Sequence, residues 1–434
     1  MKVALINHGC AKNLIDSELL LGMLTDKGHS ITLDENEAQI VIVNTCAFIH
    51  DAEEESVQSI LRCCAEGKKV IVAGCLPQKH KKDLQKAIPE VSAFLGISDL
   101  EKIVSVVDKL SKSDETIYEI SDKPFYKYPE TTHRAQITVG ASSYLKIAEG
   151  CHFKCGYCII PKLRGDYVSR ELKNIIAEAN ELVAKGVNEI VLIAQDTTSW
   201  GIDIYGKPSL PMLLKELDKI ENLEWIRLMY TYPSLVDDEL LEVIANSKKI
   251  VHYIDMPLQH SHPEVLKRMK RPVMDYEKLV NNIRKHIPDV VLRTTFITGY
   301  PAETEEEFEH LLNFVKKMKF DKLGVFEFCS EKGTYAYTLK NKIKASVKKQ
   351  RRNKILEAQQ KISLEINRSL IGKEIPVIIE GVVESENKAI ARSFRDAPEV
   401  DGLVYINTDK ELIPSDIVNV RITNANEYDL FAEY

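Results

Sequence analysis

Three spacings of apolar residues follow one another along the chain. From the amino terminus, short apolar runs alternate with helical periodicity. VALIN (3–7) precedes a helix-like stretch from Leu14 to Lys27, IVIVN (40–44) precedes Asp51 to Glu66, and KVIVAG (69–74) precedes Gln78 to Ala87. Short Val/Ile runs separated by amphipathic stretches predict an α/β domain with a parallel sheet. Residues 111–135, rich in Ser, Asp, Lys, Tyr and Pro and without a period, read as a linker. A second array carries six strand-like runs: YLKIAE (144–149), EIVLIAQ (189–195), WIRLMY (225–230), HYIDMP (252–257), VVLRTTFI (290–297) and LGVFEF (323–328). Helical stretches such as 171–185 and 304–319 lie between them. Six βα units fit an open sheet or a partial (βα)6 barrel, and in both the loops at the carboxyl ends of the strands form the ligand edge. A basic helix-like segment from Lys340 to Lys354 reads as a solvated face. After residue 370 the pattern changes to short alternating runs (IPVIIEGVV, KAIARSF, GLVYIN, DIVNVRIT), which predict a small antiparallel β-barrel. The expected domains are therefore 1–125, 137–369 and 370–434.

Composition leaves this picture standing. A chain of 434 residues with 44% hydrophobic and 28% charged residues has ordinary globular content and fits about three domains. The start, MKVALINHGC, is too short an apolar run for a signal peptide, and no stretch approaches the roughly 18 apolar residues a membrane helix needs. A cytoplasmic protein without membrane contact is expected. In that compartment thiols stay reduced, so grouped cysteines point to metal before disulfides.

Six of the nine cysteines form two groups. Cys151, Cys155 and Cys158 are local, in C-HFK-C-GY-C, on the loop after the strand-like run YLKIAEG. Three thiolates on a short loop suit three corners of a four-iron cluster and leave one iron open to bind a small molecule. A zinc site is the weaker reading, because structural zinc wants a fourth ligand and His152 sits inside the loop. Cys10, Cys46 and Cys75 are dispersed, each just past a predicted strand. The carboxyl ends of parallel strands share one edge, so the three become neighbours and a second cluster site. Taken singly, each also fits a buried core cysteine. Cys63, Cys64 and Cys329 lack partners at ligand spacing and read as small buried hydrophobes.

The loop spacing on the first strand of a six-unit βα array resembles the radical S-adenosylmethionine enzymes. That resemblance implies an open iron that chelates the amino and carboxylate groups of S-adenosylmethionine, and a low-potential electron that breaks its carbon–sulfur bond to give a 5′-deoxyadenosyl radical. The whole chain is similar to the methylthiotransferases, which join a three-cysteine domain, a radical domain and a TRAM barrel in this order. The motifs GCAKNLIDSE (9–18), IVNTCAFI (42–49), IPKLRGDYVSR (160–170), AQDTT (194–198), DMPLQH (255–260) and DAPEVDG (396–402) resemble the branch that modifies an aspartate of protein twelve of the small ribosomal subunit. The resemblance implies two [4Fe-4S] clusters and S-adenosyl-L-methionine as cofactors, with an external electron donor and a sulfur donor as partners. No catalytic residue beyond the cluster ligands is expected. A tRNA methylthiotransferase is the alternative enzyme. A two-cluster electron carrier or scaffold is the alternative without catalysis.

Four further residues are candidate cofactor contacts. Tyr157 stands where the family places an aromatic near the adenine, though packing under the loop is an equal use. Gln195 ends a strand-like run and offers an amide to a ribose or amino group, or caps the loop. Arg293 lies in an apolar strand and needs an anion, either the cofactor carboxylate or an Asp or Glu of the protein. Gly299, in the strand-to-helix turn ITGYPAE, allows a close backbone approach to the adenine or serves only the turn. His8, His50 and His260 flank these positions and are not expected to be ligands.

Charge bears on the partner. Residues 370–434 hold six basic and thirteen acidic residues, an excess equal to the whole net charge of -7. An RNA-binding domain should be basic. The acidic barrel therefore favours a basic small-subunit ribosomal protein as substrate. A local basic patch around Arg392 and Arg395 is the one place left for RNA.

Overall fold

The structure, a computed structural model, describes residues 1–47, 50–125, 128–129, 133–137, 140–383 and 387–434. Phe48 and Ile49, at the end of the run 42–49, and positions 126, 127 and 130–132 of the predicted linker lie outside the described residues. By compactness the chain forms two units. The first joins Met1–Val139, Ala148–Phe153 and Ile159–Arg170, and the second joins Gly140–Ile147, Lys154–Cys158 and Glu171–Tyr434.

In the first unit the predicted strands appear as β1 (Lys2–Asn7), β3 (Ile40–Thr45) and β4 (Lys69–Gly74), joined by β2 (Ser30–Ile31), β5 (Ala93–Gly96) and β6 (Ile117–Glu119). All pairs are parallel, in the order β2-β1-β3-β4-β5-β6. β3 is buried along its whole length, as an unbroken apolar run covered on both faces should be. β6 lies within the stretch expected to be a linker; at three residues it is too short to show a period. The helix expected over 78–87 is two, Cys75–His80 and Lys82–Ala87, broken at Lys81 with φ of 49°.

The run expected as one strand over 144–149 is also two elements, β7 (Ser142–Lys146) and β8 (Ala148–Glu149), the latter paired antiparallel with β9 (Val168–Ser169) in the first unit. In the second unit β10 (Glu189–Ile193), β11 (Trp225–Leu228), β12 (Ile250–Asp255), β13 (Val291–Thr298) and β14 (Lys322–Glu327) continue from β7. The six strands are parallel and follow chain order, β7-β10-β11-β12-β13-β14, the arrangement of a partial (βα)6 barrel. Helix Glu305–Met318 starts on a capping box between Thr304 and Glu307. The basic segment forms a longer helix than its charge run suggests, Ala345–Arg368, and its face is not wholly solvated. Arg351 is buried and pairs with Glu303 at 2.9 Å and Glu305 at 2.9 Å.

The carboxyl-terminal strands β15 (Glu374–Val383), β16 (Lys388–Ser393), β17 (Val404–Asn407), β18 (Ile417–Ala425) and β19 (Leu430–Glu433) close a barrel around Val377, Ile379, Val404, Ile406 and Ile422. The sequence pattern shows four of the five strands. Four pairs are antiparallel as expected, but β17 and β19 pair parallel.

The loop after β16 docks on the amino-terminal part of the six-strand sheet. Glu189, the first residue of β10, is fully buried and pairs with Arg227 of β11 at 2.7 Å and with Arg392 of the barrel. Arg227 donates to the Phe394 carbonyl at 2.8 Å, and Tyr253 donates to Asp401 at 2.7 Å. Asp396 pairs with Lys322 at 2.6 Å, and Asp321 with Arg395 at 2.6 Å. The expected basic patch is thus absent as a surface: Arg392 is 2% exposed, and the charges of Arg392 and Arg395 are answered within the protein. The DAPEVDG segment fastens the barrel to the sheet.

Removing Arg392 leaves the buried Glu189 carboxylate short of a cation, so Arg392→Ala should lower stability by about 3–5 kcal/mol in urea unfolding. Burial pushes the Glu189 carboxyl up, but Arg227 and Arg392 outweigh it and hold it down to about 2. Its contribution is therefore complete above the ordinary value of 4.5 and lost as pH falls from there toward 2. An acid titration of unfolding should show this component in the native chain and a smaller one in Arg392→Ala.

Candidate iron–sulfur sites

β1, β3 and β4 are adjacent and in register, Asn7 opposite Asn44 and Thr45 opposite Gly74. Cys46 and Cys75 directly follow β3 and β4, and Cys10 follows β1 by three residues. The strand ends thus bring the dispersed cysteines to one edge. Gly9, at φ of 100°, lets the β1 loop close on Cys46: a Cβ there would lie 2.9 Å from the Cys46 Cβ. Cys46 and Cys75 are buried and Cys10 is exposed.

The motif GCAKNLIDSE supplies the polar floor of this site. Asn13 donates to the carbonyls of His8 at 3.0 Å and Thr45 at 2.9 Å. Its Oδ1 accepts from Arg164 at 2.6 Å. Arg164, fully enclosed, also pairs with Asp16 at 3.2 Å and Glu149 at 2.9 Å, and its Nη2 lies 3.8 Å from the Cys75 sulfur. Burial pushes the Cys75 thiol up to about 12 despite Arg164. At Cys10 desolvation also acts upward, but Lys12, Arg164 and two backbone N–H groups outweigh it and pull the thiol below its ordinary value. Sequence reasoning missed Asn13, Asp16 and Arg164. Charged and amide residues on the inner face of helix Ala11–Asp26, where apolar ones belong, were the available signal.

On the local loop, the Cys151 N–H donates to the Gly165 carbonyl at 3.2 Å in the first unit. Cys155 and Cys158 belong to the second unit, where the Cys158 N–H donates to the Cys155 carbonyl at 3.1 Å. The Cys155 sulfur faces Tyr232 Oη at 4.0 Å and Arg271 Nη1 at 3.9 Å. Among the described residues no three His, Cys, Asp or Glu side chains are gathered tightly enough for a single metal ion. A cubane makes a different demand, since its cysteines bind separate irons.

The other candidates fall out unevenly. Tyr157 packs against Val265, Met269, Tyr300, Phe328 and Ala336 beside Cys155, with burial and then Cys155 raising its phenol. Gln195 does not end a strand; β10 stops at Ile193 and leaves it on the following loop. Gly299 has φ of 73°, and a Cβ there would lie 2.1 Å from Lys348 Cγ, so helix Ala345–Arg368 already requires glycine at this turn. Arg293 has the protein partner that the sequence left open: it pairs with Asp255 at 3.0 Å and Asp401 at 3.6 Å. His8 bonds Ser59 at 2.8 Å, His50 lies 3.4 Å from Glu54, and His260 is buried. Cys63 is buried as expected, whereas Cys64 is half-buried and Cys329 exposed, because it falls beyond β14.

Residues 145–315 match the model of the Radical SAM superfamily, residues 2–96 that of Uncharacterized protein family UPF0004, and residues 371–434 that of the TRAM domain. The chain is 48% identical to the ribosomal protein uS12 methylthiotransferase RimO of a Thermoanaerobacter species, covering 100% of this chain and 99% of that one. The chain belongs to the RimO family. A second RimO, from Caldanaerobacter subterraneus, is 47% identical over 100% of this chain and 99% of its own. The radical S-adenosylmethionine methyltransferase TsrM of Kitasatospora setae shares the fold, with a TM-score of 0.55 at 15% identity over 75% of this chain and 72% of that one. The RimO family is a family of radical S-adenosylmethionine enzymes that use two four-iron clusters. No helix among the described residues of this RimO-family chain is long and apolar enough to cross a membrane.

In the reduced, metal-free protein the two strand-end thiols should differ in reactivity. Cys10, exposed and held low, should be alkylated at neutral pH well before Cys75, buried and held near 12. Time-resolved mass spectrometry with iodoacetamide checks the order.

Proposed function

We propose that this chain adds a methylthio group to the β-carbon of an aspartate in ribosomal protein uS12. The carrying observation is the 48% identity to a RimO over essentially the full length of both chains. The proposed division of labour follows the domains 1–125, 137–369 and 370–434. Cys151, Cys155 and Cys158 hold the radical-generating cluster, and Cys10, Cys46 and Cys75 hold a second cluster at the strand ends of the first domain. When bound, the first cluster and S-adenosylmethionine supply the radical that abstracts hydrogen, and a second S-adenosylmethionine supplies the methyl group.

The side chains do supporting work around these groups. Asn13 and Arg164 fix the floor beneath Cys75. Tyr157 and Gly299 are the proposed contacts of the adenine, and Gln195 offers its amide from the loop after β10. Arg293 is assigned to the barrel contact through Asp255 and Asp401. Sulfur and electrons come from external donors, and a ribosomal substrate places the reaction in the cytoplasm.

The charge of the barrel supports a protein substrate. Two of its six basic residues, Arg392 and Arg395, are turned inward, and only Lys373, Lys388, Lys410 and Arg421 remain exposed against an acidic excess. Such a surface repels phosphate over about a Debye length, roughly 8 Å at physiological salt, and attracts a basic protein. An isolated 370–434 segment would expose Arg392 and Arg395, so the full chain is the right material for binding measurements.

Anaerobically reconstituted protein with S-adenosylmethionine, reductant, uS12 and tRNA should yield methylthio groups on uS12 by mass spectrometry. Modification of tRNA alone would overturn the reading. Alanine at Cys151, Cys155 and Cys158 should remove part of the iron and abolish 5′-deoxyadenosine. Alanine at Cys10, Cys46 and Cys75 should remove another part and stop methylthio transfer while some cofactor cleavage persists. Unchanged iron in either triple variant would reject that set of ligands.

A further inference from the structure

A guanidinium buried without an anion is strongly disfavoured, so its persistence needs a cause. Arg164, Arg227, Arg351 and Arg392 are all buried, and each has a carboxylate within salt-bridge distance. Arg271 is buried too, yet among the described residues no Asp or Glu pairs with it. Its Nη2 donates to the Pro257 carbonyl at 2.6 Å, its Nη1 points at the Cys155 sulfur at 3.9 Å, and its Nε has no partner. The guanidinium lies over the Tyr232 ring at 4.4 Å, with Tyr157 and Tyr276 also close. The side chain that its Nη1 faces is Cys155, on the cysteine loop.

We propose that Arg271 is the built-in counter-cation of the Cys151–Cys155–Cys158 loop and sets the reduction potential of the cluster held there. Three thiolates and a cubane form a negatively charged body, and one-electron reduction by the external donor adds a further negative charge. A fixed cation in a dry surrounding stabilises the reduced form more than the oxidised one, and N–H donation to a cluster sulfur acts in the same direction. Arg164 provides the internal contrast. It stands as near to Cys75, but Asp16 and Glu149 already neutralise it. One cluster is thus paired with a free charge and the other with a spent one. The Pro257 contact also ties Arg271 to the DMPLQH segment after β12, which holds the guanidinium in place.

The proposal rests on the loop holding a cluster, which iron content and a signal that changes on adding S-adenosylmethionine establish separately. The test is a redox titration of the reconstituted full-length protein followed by electron paramagnetic resonance, using the S-adenosylmethionine-responsive signal to mark this cluster. Arg271→Gln should make reduction at least tenfold less favourable, about 59 mV more negative for one electron. Arg271→Lys should stay near the native midpoint, and Arg164→Gln should leave this signal's midpoint in place. An unshifted Arg271→Gln protein, or an Arg271→Lys protein shifted equally far, would overturn the assignment. Should Arg271→Gln lose iron, Arg271→Lys decides: native iron and midpoint support the proposal, and loss of iron rejects it. A native enzyme without any responsive signal would overturn the cluster reading beneath it.

Discussion

Glu189 is inaccessible to water and carries two guanidinium groups. A buried carboxylate with one missing partner is among the most destabilising arrangements in a protein. This single requirement fixes much of the second unit. It places β11 beside β10 through Arg227, holds β16 against the start of both through Arg392, and thereby brings the next loop to Lys322 and Arg293. The charges there do not decorate a surface; they replace the apolar packing that another protein would use between sheet and barrel.

The same rule separates the two cysteine groups. In the first unit Asp16 and Glu149 satisfy the arginine beside Cys75, so that corner is electrically closed before any cofactor arrives. In the second unit the arginine beside Cys155 meets a carbonyl, aromatic faces and sulfur. The two cysteine groups therefore stand in different fields.

Much of this was legible from residue order. β3 and β4 declare themselves as apolar runs, and placing Cys46 and Cys75 at their ends follows from the geometry of parallel sheets. The loop spacing at Cys151 needs no fold at all to be read. What the sequence concealed are pairings across long separations. Nothing local tells that Arg293 finds Asp255 and Asp401, or that Arg392 and Arg395, which look like an exposed patch, face inward. β6 and β19 escaped because strands of three and four residues carry too little alternation to stand out. Gln195 was misplaced by two residues because the apolar run continues past the last sheet pair of β10.

The docking of the segment after β16 makes the barrel part of the sheet's own fold. The barrel looks like an appended module, encoded last and closed on itself. Its attachment, however, is written partly in the first residues of strands 74 and 203 positions earlier. A barrel cut from this sheet would leave Arg392 without Glu189 and Asp396 without Lys322. In this chain the barrel and the strand starts it grips are therefore one structural unit, joined through Glu189–Arg392 and Lys322–Asp396.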